Sequence, residues 1–171
     1  MKKLKKERII YTIVGIIFIL GLILIILFNN KFQEFQQDGN ALLSLDNYTK
    51  IDINVQDNNI ILSSKCKAII VTIPEDRALI LKNAIEKQIE PRPSIYDSTV
   101  EIMNYFDLEL TYVKIERMEN NIYYSKTVFS NLNKILNLDM RPSDAMVLAL
   151  KLDKPTYINT FLLDSLGQNI C

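Results

Sequence analysis

Histidine is absent from this 171-residue chain, tryptophan is absent too, and cysteine occurs twice. Without histidine, Ser-His-Asp and Cys-His arrangements and imidazole acid–base chemistry are excluded within the chain. A structural zinc site needs about four Cys or His ligands, and Cys66 and Cys171 cannot supply them. The two cysteines allow one disulfide on the oxidising side of a membrane, and are equally compatible with two unrelated thiols. Any catalysis must rest on carboxylates, hydroxyls, Lys, Arg, Tyr or a bound metal.

Net charge is also absent, but the balance of 20 basic and 20 acidic residues conceals a division. Residues 1–8 carry five basic residues against Glu7, a net of +4, and residues 29–171 carry the remaining 15 basic and 19 acidic residues, a net of −4. The larger part lacks the bulk positive charge typical of a nucleic-acid binder.

Between these parts, residues 9–28 contain no charge and no proline. All but Tyr11, Thr12, Gly15 and Gly21 are Ile, Leu, Val or Phe, worth about −5 to −9 kcal/mol on the insertion scale. At about 1.5 Å per residue the run spans the roughly 30 Å of a bilayer core, which predicts one transmembrane helix over 9–28. A cleaved signal peptide is disfavoured by the length of the run and by the absence of small residues at a cleavage position after it. Lys2, Lys3, Lys5, Lys6 and Arg8 precede the run and Lys31 alone closely follows it, so the N-terminus is expected in the cytoplasm and the C-terminal part outside.

Residues 29–47 are polar and aperiodic and read as a juxtamembrane stalk, with a short helix around 39–45. From residue 48 to 171 the pattern is that of a folded domain. Ile51, Ile53 and Val55 alternate with polar residues, Asp57-Asn58-Asn59 turns, and Ile60–Ser63 returns as a hairpin. Lys67–Ile73 is a β-branched strand. Pro74-Glu75-Asp76 opens a helix with Leu81, Ala84, Ile85 and Ile89 on its apolar face, ending before Pro91. Ser94 with Asp97 forms a capping box for a second helix that buries Val100, Met103 and Phe106. Strands follow at 109–116, 122–129 and 134–139. A third helix runs from Pro142 to Leu152, apolar on nearly all sides and so expected in the core. A strand at 156–158 and a helix capped by Asn159 complete the chain. Hairpins and helix pairs without regular βαβ alternation give an α+β class, a single mixed-sheet domain with packed helices.

Two segments share a pattern: Pro91-Arg92-Pro93-Ser94-Ile95-Tyr96-Asp97, and Asp139-Met140-Arg141-Pro142-Ser143-Asp144-Ala145 with the apolar helix behind it. Each sets Arg-Pro-Ser at a helix mouth with an aspartate close behind. The arrangement resembles the bifunctional nuclease domain family, with its Pro-Arg-Pro-x-x-His-Asp motif and its Arg-Pro-Ser-Asp-Ala motif followed by an apolar helix and a Pro-x-Tyr/Phe-Val strand, here Pro155-Thr156-Tyr157-Ile158. The likeness covers residues 50–166. It implies DNase and RNase activity, with Arg92, Asp97, Arg141, Ser143 and Asp144 at matching positions. Two departures stand out: Tyr96 occupies the histidine position, and Arg77 lies near the place of an acidic residue early in the first helix.

Phosphodiester hydrolysis requires neutralisation of the phosphate and an activated water. On this reading Asp97 and Asp144 are catalytic and, with Asp139, hold Mg²⁺ or Mn²⁺, with Glu101 as a further carboxylate. Arg92, Arg141 and Ser143 bind the substrate, DNA or RNA. The same residues also read as ordinary helix starts, Arg92 and Arg141 pairing with the acids across the mouths. That leaves a catalytically inactive binding or assembly module at the membrane surface as the alternative, a homo-oligomer being compatible with either. Tyr105, Tyr112, Tyr123 and Tyr124 are candidates for base stacking, but fit core or interface roles better.

Overall fold

The computed structural model describes residues 16–29, 43–89, 91–132 and 134–171. It divides into two units, Met1–Ser44 and Leu45–Cys171. In the first, residues 16–29 form a helix whose large apolar side chains, from Ile16 to Phe28, are exposed. No helix among the described residues is long and apolar enough to cross a membrane. The helix covers the C-terminal part of the expected span. Residues 9–15, the basic segment 1–8 and most of the stalk lie outside the described residues.

The second unit is α+β, built on one mixed eight-stranded sheet. Its strands are β1 (Tyr48–Gln56), β2 (Asn59–Ser64), β3 (Lys67–Thr72), β4 (Glu109–Glu119), β5 (Ile122–Asn131), β6 (Lys134–Met140), β7 (Thr156–Asn159) and β8 (Gln168–Asn169). Its helices are α1 (Glu75–Ile85), α2 (Ile95–Tyr105), α3 (Pro142–Lys151) and α4 (Thr160–Leu166). The strand order is β6-β5-β4-β7-β1-β2-β3-β8, antiparallel except for the β4–β7 pair.

Turn chemistry fixes the registers. Asn120 and Asn121 both take positive φ between β4 and β5, a conformation that Asn tolerates and that two-residue hairpins require. Alternation in β1 holds: Ile51, Ile53 and Val55 turn inward while Asp52, Asn54 and Gln56 stay exposed. Helix α3 is buried from Ala145 to Ala149 because it serves two clusters at once. Met146 and Val147 join Ile51, Ile69, Leu81 and Ile158, whereas Ala145, Leu148 and Ala149 join Met103, Leu110 and Phe129.

Two helix ends fall short of the sequence pattern. Lys87 takes positive φ just after α1, so Ile89, periodic with the apolar face, lies almost wholly exposed. Phe106 follows α2 as its C-cap and is exposed, while Met103 alone of that helix is fully buried. The structure joins Cys66 to Cys171 in a disulfide. Cys66 lies in the turn between β2 and β3, and Ile170 N–H donates to its carbonyl at 2.9 Å.

Candidate functional site

The first turn of α2 meets the first turns of α3 and α1 through Tyr96, Asp144 and Arg77. Asp144 occupies the third position of α3, behind Arg141 at the N-cap and Pro142 at the first position. Its Oδ1 accepts from the Arg77 guanidinium of α1 at 2.5 Å and from the Tyr96 hydroxyl of α2 at 2.7 Å. Three elements thus converge on one carboxylate oxygen. The other oxygen, Oδ2, has no hydrogen bond among the described residues, and the side chain keeps a quarter of its surface open. Burial, then the hydrogen bond and charge of Asp144, push the Tyr96 hydroxyl up to about 12, against a smaller opposing pull from Arg77. Tyr96 is therefore a neutral donor at physiological pH.

Asp97 is bound differently. Its Oδ2 accepts from the Ser94 backbone N–H at 2.8 Å and from the Ser94 hydroxyl at 2.7 Å, completing the capping box expected from sequence. Its Oδ1 accepts from Lys151 Nζ at 2.7 Å. The Lys151 bond, followed by the two from Ser94, lowers its carboxyl to about 2.

The remaining sequence candidates are spread around this centre. Arg92 and Arg141 are exposed, and neither makes an ion pair among the described residues. The partners of the two aspartates are Arg77 and Lys151 instead, drawn from α1 and from the far end of α3. Ser143 is half-buried, and α3 has no side-chain cap. Asp139 and Glu101 are exposed, Asp139 opposite Lys126 on the sheet. Tyr105 is exposed, Tyr112 is core, Tyr123 packs on the core, and Tyr124 lies under Arg117 at 4.2 Å.

This donor set does not fit the expected Mg²⁺ or Mn²⁺. A divalent ion takes several oxygens at close range, yet Asp97 and Asp144 are each neutralised by a separate cation. Among the described residues no group of three His, Cys, Asp or Glu side chains is arranged to hold a metal ion.

Comparison with known proteins bears on this geometry. Residues 60–170 match the model of the bifunctional nuclease domain. Over 92 residues the chain is 27% identical to bifunctional nuclease 1 of Oryza sativa subsp. indica, covering 52% of this chain and 28% of the rice protein. Over 103 residues it is 23% identical to bifunctional nuclease 1 of Arabidopsis thaliana, covering 58% of this chain and 32% of that protein. The chain thus spans about a third or less of the length of these curated relatives. The matched region runs from β2 to β8 and contains α1, α2 and α3, whose residues build the Arg77–Tyr96–Asp144 centre. By this match the chain belongs to the bifunctional nuclease domain family.

Proposed function

We propose that this domain binds the phosphodiester backbone of nucleic acid at the joined mouths of α2 and α3 without cleaving it by metal-assisted hydrolysis. The observation that carries the reading is the neutralisation of both candidate carboxylates, Asp144 by Arg77 and Asp97 by Lys151. Arg92 and Arg141, exposed beside helix starts joined by the Tyr96–Asp144 bond, are the phosphate contacts. Free backbone N–H groups of the first turns favour an anion there. The net acidity of residues 29–171 restricts such binding to a local patch.

A second reading, hydrolysis of DNA or RNA, is favoured by the names of the relatives and by the unbonded Asp144 Oδ2. That oxygen would accept a proton from an attacking water, with Arg141 on the phosphate. The full-length chain in detergent, incubated with labelled RNA and DNA with and without Mg²⁺ or Mn²⁺, separates the two. Binding that weakens with salt and with Arg141→Ala, and no cleavage in any arm, is the expected result. Cleavage abolished by Asp144→Asn would establish the second reading.

Membrane attachment through residues 9–28, with the domain outside the cytoplasm, belongs to the same proposal. The uncharged run and its flanking lysines support it, and so does the Cys66–Cys171 pair, since disulfides persist in oxidising compartments. Acid-trapped cells treated with a thiol-reactive mass tag should show no tagging before reduction and two tags after it. Two tags before reduction would place the domain inside.

A further inference from the structure

A slot opens between α1 and α2 beside the mouth of α2, with a volume of about 420 Å³, the size of a small-molecule cleft. Its apolar surface comes from Ala84 of α1 and Val100 of α2, and Ile89, otherwise left in solvent, adds to it. Asp97, Val100 and Glu101 are spaced to share one face of α2, and that face lines the slot. Pro93 lines the end next to Arg92. Four charged side chains reach the slot, and three of them are engaged: Lys151 with Asp97, and Lys87 with Asp153 outside it. Glu101 makes no hydrogen bond or ion pair among the described residues, so the open charge of the slot is negative. Such a slot disfavours a phosphate and favours a flat group that carries N–H donors. Lys151 retains donors of its own, because an ammonium has three N–H groups and one goes to Asp97.

We propose that this slot takes a guanine base of the bound nucleic acid, with Glu101 accepting from its N1–H and N2–H groups and Lys151 donating to its O6. The inference rests on the backbone-binding reading, in which Arg92, next to the Pro93 end of the slot, holds the phosphate. Ala84 and Val100 offer apolar contact to the faces of the ring. The choice among bases follows from the edge each presents. A carboxylate has two acceptor oxygens and no donor, and guanine sets two adjacent donors against it, with a carbonyl beside them for a cation. Adenine and cytosine each place a ring acceptor beside one amino group. Uracil places one N–H between two carbonyls. Each of these turns a lone pair toward Glu101, and none engages both of its oxygens. Glu101 thereby becomes a specificity-determining residue, with no part in holding a metal.

Fluorescence anisotropy of the full-length chain in detergent tests it, with labelled uridine pentamers carrying guanine, hypoxanthine, adenine or cytosine at the centre. A chelator in every arm keeps any metal-dependent cleavage out of the measurement. The guanine pentamer should bind about tenfold tighter than the adenine and cytosine pentamers. Hypoxanthine, which lacks the N2 amino group, should fall between. Glu101→Gln should bring the guanine pentamer down to the level of adenine, although removal of a negative charge by itself would tighten every pentamer alike. Glu101 is exposed, so the variant should fold, as unchanged circular dichroism would show. Glu119→Gln, on β4 and outside the slot, should keep the preference. Equal binding of all four pentamers would overturn the base slot and leave backbone binding standing. A guanine preference that survives Glu101→Gln would overturn the role of Glu101, and binding of none of the pentamers would remove both readings.

Discussion

At the mouth of α2, Ser94 stands at the N-cap and Asp97 at the third helical position, and the two bind each other. At the mouth of α3, the N-cap is Arg141, Ser143 has moved inside the helix, and Asp144 stands at the third position. Both aspartates therefore occupy the same helical position behind nearly the same Arg-Pro-Ser. The difference is two residues, Ile95 and Tyr96, inserted between serine and aspartate in the first motif. They place the serine where it can cap, and the aspartate then closes on its own helix. Arginine has no oxygen to offer as a cap, so Asp144 is left to reach across to α1 and α2. One acid holds its own helix start and ties it to the end of α3; the other holds three helices together at their beginnings.

The largest effect should come from the Asp144 side. Arg77→Met strips the carboxylate of its cation in a half-buried setting and should cost about 2 kcal/mol in denaturant unfolding. An equal loss from Arg141→Met would show that the pairing had been assigned to the wrong arginine. Asp97→Ala should cost about 1–2 kcal/mol, combining the cap with a partly exposed ion pair. The same carboxyl sets an acid limit. Its folded value of about 2 lies below its ordinary 3.8, so its stabilisation is complete above the ordinary value and is lost as pH falls through the folded one. Asp97→Ala should flatten that part of the stability–pH curve, and a curve unchanged by the substitution would contradict the assignment. The smallest effects make the sharpest contrast: Ser94→Ala should cost about 1 kcal/mol and Ser143→Ala under about 0.5 kcal/mol. Equal costs would break the distinction between the mouths.

Much of the domain was readable from local chemistry. The β1–β2 hairpin followed from alternation and an Asp-Asn-Asn turn, and the Ser94–Asp97 box from residues three apart. Helix α3 read as core because nearly every side of it is apolar. What sequence could not supply was assembly at a distance. Arg77 and Tyr96 lie 67 and 48 residues from Asp144, and no local period links them. The only sequence signal was that both sit near motif positions where the family carries other residue types. Lys151 was hidden similarly, at the far end of the helix that Asp144 begins. The periodicity of α1 overshot to Ile89 because apolar spacing does not reveal where Lys87 turns the backbone. β8, two residues long, has no period to read, and only its pairing with Lys67 and Ala68 defines it.

The position of β1 has a mechanical consequence. The chain enters the domain at Leu45 and passes directly into this strand, which lies inside the sheet between β7 and β2 rather than at a border. Residues 48–51 pair with β7 and residues 52–56 with β2, so a pull along the strand axis loads the two ladders one after the other, each in shear. An entry through a border strand would let the ladder open one rung at a time, like a zip. Through β1, tension along the strand meets each ladder as a set of rungs that must slip together.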